Sequence, residues 1–582
     1  MKEYEEYYEG PRSSSQESPG AQYEALSYVW GTESETESVT VEEDVPNGTS
    51  RINIRRNLAD ALRHLRLPDS PRNFAQVLRM SEIYRSATRV IIWLGGAADR
   101  SGLAMSTVHF LGTQVEYTQN AKYLPAPGCS MPRWFLPDVD LGYDGDTLDS
   151  LYHLANRPWF ARLWVLQEAQ LANNDSIVKC GEDEVPWPPF RRAVLCLQRK
   201  TSGIPKHLRS CLVAHARFTV DFLVHAPLEE ILSISSGQQC RDPSDRIYGV
   251  LSIAPPRFAA KIKPNYALRT MEVYKQAFLT YAGHYQRLTL LQHCNYPDPS
   301  FPSWVPNWAF GIGFHATYYG CRASGISGER YAVLGDRLRV DAVRFAAVLK
   351  AETPDVQSMQ DVLKFLPTIG TEKLQNTAYP AGGVLLEGYL QSFAFGRVKD
   401  RMPDIGNPSV HEWRELMDHQ HPVHSRFEDE VVDRFRGKSV IFLEGGDCVC
   451  IILGCEVPMV LRPSSEEAFR LVGPCYVHGT MDGEVILGPI PAGWVLHVVR
   501  VDDDVFRPSF FQSLLKTGSE TTTWDDPRLS EHPMSPEWER VRDCKWTRDD
   551  PVQCVKYRHK VTGREINFDP RLLPAALRGR GI

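Results

Sequence analysis

The sequence lacks three features that would assign it to a specialised class of protein. It has no uninterrupted apolar run of membrane-spanning length, and its first residues, MKEYEEYYE, are acidic and lack the apolar core of a secretory signal. It also has no excess of basic charge: the 582 residues carry a net charge of -7, which argues against nucleic-acid binding through a basic surface. We therefore predict an intracellular, cytoplasmic protein with no membrane span and no nucleic-acid partner.

A disulfide framework and a metal-binding pattern are missing as well. The thirteen cysteines are odd in number and scattered along a long chain, which favours reduced thiols. Cys448, Cys450, Cys455 and Cys475 lie close together but lack the two-residue spacing of zinc ligands, so we predict no metal. His478 near Cys475 suggests a nucleophile pair, although the glycines around them favour a tight turn.

Glycine-rich phosphate-binding motifs are present only in part. The triplet Gly437-Lys438-Ser439 resembles the end of a phosphate-binding loop, but Val432 stands where that loop needs its first glycine. The segment GIGFHA at residues 311–316 does not follow a clear strand of a βαβ unit. We therefore predict no bound nucleotide cofactor.

The length of the chain predicts roughly three to four domains or subdomains, because 582 residues exceed one hydrophobic core. Composition and periodicity predict a disordered lead-in at 1–20, an α/β domain at 21–190 and a helical region at 191–298. Short β-prone runs divided by Gly and Pro predict a mixed, β-rich region at 299–505 and a small antiparallel sheet or barrel within it.

Local patterns outline the α/β domain. The segment YEALSYVWG at 23–31 fits a half-buried strand closed by a turn at Gly31, and the apolar run VIIWL at 90–94 fits a buried strand of an α/β sheet. Asn57 precedes an apolar stripe at helical spacing and is predicted to be the N-cap of that helix. Residues 176–181 fit a further short strand.

Three blocks in this order resemble the motifs of one family, the heterokaryon incompatibility (HET) domain proteins of fungi. They are the strand at 23–31, the helices and strand at 54–66 and 76–95, and the segments RPWF at 157–160 and RLWVLQE at 162–168. Segments at 242–251, 302–308 and 471–484 resemble sequences that follow the domain in these proteins. The resemblance implies a TIR-like, flavodoxin-like three-layer α/β domain. It also implies a role in non-self recognition, with the HET domain as a cell-death effector in vegetative incompatibility.

One family block is missing near 67–75, where members have a strand and loop rich in Trp, Asp, Cys, Ile, Asn and Gln. A central parallel strand buries apolar side chains on both faces, each contributing roughly 1.5–3 kcal/mol. Its loss leaves three alternatives: a rebuilt sheet, a degenerate member, or an imperfect gene model. The additional strand that members usually have ahead of the first motif is also not evident.

The resemblance singles out Glu168 as a catalytic candidate, because some TIR-fold proteins cleave NAD with a glutamate. A carboxylate in an aromatic, poorly hydrated pocket could stabilise a developing oxocarbenium ion. The structural alternative, which we favour, is that Glu168 pairs with Arg157 or Arg162 and holds its helix to the sheet. The other family-motif residues are expected to act mainly through folding; they are Tyr28, Trp30, Gly31, Trp93, Arg157, Trp159 and Trp164.

These observations leave three functional hypotheses: a cell-death effector, an NAD-cleaving enzyme with NAD as substrate, and a degenerate, inactive member or interaction scaffold. The partner is expected to be a protein, and self-association is an alternative.

The C-terminal tail at 506–582 ends twice in the sequence DPRL, at 526–529 and 569–572. The segment TTTWDDP at 521–527 looks like the end of a WW module, a three-stranded sheet that binds proline-rich peptides on aromatic side chains. Neither copy has the full set of aromatic residues. The first lacks a recognisable opening Trp, and the second lacks the usual Tyr pair and the second Trp. We therefore predict stabilising turns rather than a peptide-binding module.

Overall fold

A computed structural model describes most of the chain in segments. The described residues are 23–29, 35–42, 49–65, 80–117, 123–219, 223–224, 226–294, 301–310, 320–325, 327–328, 330–351, 358–364, 371–380, 382–405, 407–418, 427, 431–432, 443–465, 468–502, 505–514, 519–543 and 555–579. The predicted lead-in at 1–20, Trp30, Gly31, the region of the missing block at 67–75 and the Gly437 triplet lie outside them.

The chain forms two compact units. The N-terminal unit contains residues 1–224, 237–245 and 249–254, and the C-terminal unit contains 225–236, 246–248 and 255–582. Both units combine helices with sheets, which confirms the mixed α/β class and the β-rich character of the C-terminal region. Among the described helices, none is both long enough and apolar enough to cross a membrane.

A four-stranded sheet forms the centre of the N-terminal unit. Its strands follow the order β1 (Glu24–Ser27), β4 (Arg89–Trp93), β7 (Ile177–Cys180) and β8 (Asp183–Pro186). The first three strands are parallel and β8 is antiparallel. Four of the five residues of β4 are buried, as its continuous apolar run predicts for a central parallel strand.

Among the described residues of this unit, two hairpins and seven α-helices accompany the sheet. The hairpins pair β2 (Thr36–Glu42) with β3 (Thr49–Arg55) and β5 (Val115–Tyr117) with β6 (Tyr123–Pro125). The helices are α1 (Arg56–Leu65), α2 (Met80–Ser86), α3 (Ser101–Thr113), α4 (Gly145–Ala155), α5 (Val165–Gln170), α6 (Trp187–Gln198) and α7 (Lys206–Thr219). Asp144 is the N-cap of α4, and its carboxylate accepts the backbone N–H of Thr147 at 2.9 Å.

The predicted N-cap at Asn57 is wrong. Helix α1 begins at Arg56, so Asn57 lies in its first turn. Its side-chain amide donates to the carbonyl of Val29 at 2.5 Å and accepts from the indole of Trp93 at 3.3 Å. Contacts with the segment after β1 and with strand β4 therefore use the polar atoms that a cap would have turned toward the helix backbone.

From residue 228 onward the helices are mostly short. They are α8 (Leu228–Ile234), α9 (Asp245–Tyr248), α10 (Pro256–Ala259), α11 (Thr270–Tyr285), α12 (Met359–Leu363), α13 (Thr371–Asn376), α14 (Leu385–Phe393), α15 (Val410–Asp418), α16 (Glu484–Leu487) and α17 (Pro574–Gly579). Helix α11 buries Val273, Ala277, Phe278 and Tyr281, the apolar positions that its sequence spacing predicts.

Short 3₁₀ helices occur in both halves of the chain, at Pro158–Ala161, Ser235–Gly237, Thr289–His293, Trp308–Phe310, Pro403–Ile405, Pro527–Glu531 and Pro570–Leu572.

Antiparallel sheets dominate the C-terminal unit. A hairpin joins β9 (Tyr331–Leu334) to β10 (Arg337–Val340), and a four-stranded sheet runs through β11 (Ala342–Ala347), β12 (Cys448–Ile452), β13 (Met459–Ser465) and β14 (Ala468–Pro474). Two three-stranded sheets follow, formed by β15 (Trp494–Asp502), β16 (Val505–Leu514) and β17 (Ser519–Thr523), and by β18 (Trp538–Asp543), β19 (Val555–His559) and β20 (Glu565–Ile566).

Two predicted boundaries fall inside structural elements. The boundary at 190 lies within α6, whose buried face includes Phe190 and Ala193. The boundary at 506 lies within the β15–β16 hairpin, where Leu496 pairs with Phe510, so the first three-stranded sheet opens at Trp494. The sequence marks individual strands, but it does not reveal which strands pair.

Helices α12 to α15 form an insertion between β11 and β12 that the sequence patterns did not predict. Their apolar side chains share one core, which includes Leu386, Leu390 and Trp413.

Lys200 is the most unusual buried side chain of the N-terminal unit. It is only 1% exposed, yet its ammonium group donates to the carbonyls of Trp134, Leu136 and Val139. The bonds to Leu136 and Val139 measure 2.8 Å and 2.6 Å. One cation thus satisfies three carbonyl groups of a loop that has no regular secondary structure.

We predict that Lys200→Met lowers the free energy of unfolding by about 2–4 kcal/mol, because it removes the buried ammonium donor from the carbonyl of buried Trp134 and from those of half-buried Leu136 and Val139. Urea denaturation followed by circular dichroism measures the change. Lys206→Met at an exposed position of α7 is the matched control and should have little effect. Equal stability of the two variants would contradict the role assigned to Lys200.

Candidate functional site

The candidate site lies at the carboxyl ends of β1 and β4, where ligands bind in open α/β sheets. Ser27 ends β1, Trp93 ends β4, and Glu168 lies on α5. The parallel register pairs Ser27 with Ile92, so the two strands end side by side.

Glu168 is held by Ser27, which was not among the predicted site residues. The hydroxyl of Ser27 donates to Oε2 of Glu168 at 2.5 Å and accepts the indole N–H of Trp159 at 2.7 Å. The exposed fraction of Ser27 and of Trp159 is 0%, and that of Glu168 is 3%. By donating one hydrogen bond and accepting another, the hydroxyl joins β1 to α5 and to the 3₁₀ helix at Pro158–Ala161.

Opposing effects act on the charge of Glu168. Burial raises the pKa of this carboxyl group, while the positive charge of Arg162 and the hydroxyl of Ser27 lower it. Burial also raises the pKa of Tyr84, and the negative charge of Glu168 adds to that shift. The phenol of Tyr84 donates to the carbonyl of Leu26 at 2.9 Å, so α2 is tied to β1 beside the carboxylate.

The two arginines that the sequence offered as partners have different roles. Arg162 donates to the carbonyl of Tyr28 and is close enough for its charge to act on Glu168. Arg157 instead donates to the carbonyls of Gly96 and Ala98, at 3.2 Å and 3.0 Å, and so fixes the loop after β4.

The remaining family-motif residues in the described segments make packing and hydrogen-bond contacts. Trp93 is fully buried and donates to Asn57, and Tyr28 is half-buried, with its pKa raised by burial. Trp164 donates its indole N–H to Oδ2 of Asp245 at 3.1 Å. Asn57, Tyr84 and Asp245 join Ser27 as site residues that the sequence analysis missed.

The geometry fits a side chain that holds helix α5 against the sheet better than it fits an open catalytic centre. A carboxylate that is 3% exposed and already bonded to Ser27 cannot meet a substrate in this conformation. Among the described residues, no group of three or more His, Cys, Asp or Glu is arranged to hold a metal ion.

The C-terminal unit contains the segment at 471–484 that resembles family sequences. Within this segment, Asp482 binds two arginines. Arg401 binds the carboxylate of Asp482 through two nitrogens, at 3.2 Å and 2.7 Å, and Arg528 donates to its backbone carbonyl at 2.7 Å. The side chains of Arg401 and Asp482 are only 11% and 12% exposed, so the pair is well shielded from solvent.

The surroundings of Cys475 and His478 do not favour a nucleophile pair. Burial raises the pKa of the Cys475 thiol to about 12, so it remains protonated at neutral pH. Gly479 has a φ of +78°, which confirms the predicted tight turn.

The DPRL repeats also form stabilising turns, as predicted. Asp526 and Asp569 each accept the backbone N–H two residues later, at 3.0 Å and 2.9 Å. Arg528 and Arg571 each fold back onto the aspartate of their own repeat.

Comparison with known proteins gives matches in both units. A family model described as "Heterokaryon incompatibility protein (HET)" matches residues 23–74 and 68–168, and one described as "Het-6 beta-barrel domain" matches residues 433–488. A curated protein, "Heterokaryon incompatibility protein 6, OR allele" of Neurospora crassa, is 26% identical over 371 residues. The alignment covers 50% of this chain and 54% of that protein, so the chain spans about half the length of this relative. No solved structure gives a significant match.

We predict that Ser27→Ala lowers the free energy of unfolding by about 2–4 kcal/mol, since it leaves a buried carboxylate and a buried indole N–H without their partner. Chemical denaturation followed by tryptophan fluorescence measures the loss. Ser106→Ala, at an exposed position of α3, is the matched control. A loss no larger than that of the control would show that the Ser27 bridge does not hold the site together.

Proposed function

Because this chain is a heterokaryon incompatibility (HET) domain protein of the fungal family, we propose that it acts in non-self recognition and that its HET domain triggers programmed cell death. The observation that carries the proposal is the HET match at 23–168, which spans the parallel strands β1 and β4 and ends at Glu168. The Het-6 match at 433–488 supports the same assignment.

We propose that the two units divide this work. The HET match lies within the N-terminal unit and the Het-6 match lies within the C-terminal unit. The first is then the effector, and the second receives a protein partner, for which a second copy of the chain is an alternative. The proposed location is the cytoplasm, where buried thiols such as Cys294 and Cys321 stay reduced.

For the fold of the effector we propose the TIR-like, flavodoxin-like three-layer arrangement. The support is the parallel run of β1, β4 and β7, with helices in the connections between them. In a flavodoxin-like sheet the second strand lies on the outer side of the first, and the later strands follow on the other side. The family block that is missing near 67–75 is the one that would supply this second strand.

Inducible expression of the full chain in a filamentous fungus tests the effector function. We expect expression to stop growth and to make the cells permeable to a vital dye. Trp159→Ala should abolish killing, because it empties a fully buried site and removes the indole N–H from Ser27. Trp524→Ala is the control, because Trp524 is 50% exposed. Unimpaired growth at a high level of the wild-type protein would contradict the proposal.

A second candidate function is NAD cleavage through Glu168. It is favoured by one observation: a carboxyl group with a pKa raised by burial lies at the carboxyl ends of parallel strands. Departure of nicotinamide leaves positive charge on the ribose, which a carboxylate can stabilise. The 3% exposure of Glu168 argues against this function, because the ribose would have to reach an enclosed side chain.

Purified full-length protein incubated with NAD decides between the two. We expect no nicotinamide release by the wild type above that of Glu168→Gln, because the carboxylate is enclosed. Glu182→Gln is the control, since the Glu182 side chain is 87% exposed. Release that is lost in Glu168→Gln and retained in Glu182→Gln would instead establish the enzyme.

A further inference from the structure

A segment far beyond the HET match belongs to the N-terminal unit. The match ends at residue 168, yet residues 237–245 and 249–254 are part of the same compact unit. Val250, Ile253 and Ala254 of this segment are buried. We call residues 237–245 and 249–254 the clasp.

The clasp pairs with the backbone just before helix α5. The N–H of Gln239 donates to the carbonyl of Ala161 at 2.5 Å, and the N–H of Leu163 donates to the carbonyl of Gln239 at 2.9 Å. These bonds form an isolated parallel bridge between Gln239 and Arg162. Arg162 is the residue whose charge acts on Glu168, so the bridge fixes the backbone that presents this charge.

Side chains of the clasp hold the beginning of α5. Asp245 is 8% exposed and accepts the indole N–H of Trp164 at 3.1 Å. The hydroxyl of Ser252 donates to Oε1 of Gln167, which is 2% exposed and directly precedes Glu168. Both anchors lie within one helical turn of Glu168, so they restrict the position of its carboxylate.

Gly249 of the clasp lies beside Leu163, the residue that precedes Trp164. A Cβ atom at this position would lie 3.4 Å from the side chain of Leu163, which is an ordinary packing distance. It would lie 2.8 Å from the carbonyl oxygen of Asp245, which the N–H of Gly249 binds at 2.7 Å, so the turn within the clasp favours a glycine here.

We propose that the clasp restrains the HET domain by fixing helix α5 with Glu168 enclosed. This inference rests on the proposed effector function and adds a restraint on it. Loss of the bond from Trp164 to Asp245 frees α5.

Hydrogen exchange of the full-length protein, measured by mass spectrometry, tests the clasp without requiring that the protein kill cells. We expect Asp245→Ala to speed exchange of the amides at 161–171 by about tenfold, since it removes a buried hydrogen bond to a carboxylate. Asp245→Asn keeps an acceptor oxygen and should stay near the wild-type rate. Wild-type exchange in Asp245→Ala would overturn the proposal, whatever the outcome of the killing assay.

The killing assay tests the direction of the effect. Asp245→Ala should kill at a lower level of expression than the wild type, whereas a higher required level would overturn the restraining role. If neither protein kills while Asp245→Ala still exchanges faster, the effector function fails and the positioning by the clasp stands.

Discussion

The N-terminal unit depends on the burial of one carboxylate. An ionised carboxyl group removed from water is costly unless it is paired and hydrogen-bonded, and Glu168 meets this requirement through Ser27 and the nearby charge of Arg162. Ser27 and Glu168 are 141 positions apart in the sequence. The bond therefore forms only when β1, α5 and the 3₁₀ helix that carries Trp159 are all in place, which couples the folding of these elements.

The same requirement explains how the described sheet can end at β1. Among the described strands, β4 is the partner of β1, and a bare strand edge would leave backbone groups without hydrogen bonds. The hydroxyl of Tyr84 donates to the carbonyl of Leu26, and the guanidinium of Arg162 donates to the carbonyl of Tyr28. Side chains thus bind carbonyls at this edge that a further strand could otherwise have used.

The sequence predicts the parts of this fold that local patterns determine. The continuous apolar run at 90–94 predicts β4, and the helical spacing of apolar residues predicts α11, because both patterns extend over only a few residues. Ser27, Tyr84 and Asp245 carry no such signal, since each acts through a contact with a residue 58 or more positions away. At Asn57 the local pattern and the tertiary contacts disagree. The local pattern predicts a helix cap, but the side chain binds the segment after β1 and strand β4.

The C-terminal tail shows the same limit at the scale of a domain. The DPRL repeats predicted two turns, yet the sequence did not reveal where the arginines point. Arg528 reaches the carbonyls of Gly488 and Asp482, and Arg571 reaches those of Leu529 and His532. The first repeat is therefore bonded to the segment around α16, and the second repeat is bonded to the first. Leu529 and Leu572 also share one core cluster with residues of β12 such as Ile451. A tail that contributes to the core around β12 is part of that fold, so its WW-like sheets cannot be assumed to act as separate peptide-binding modules.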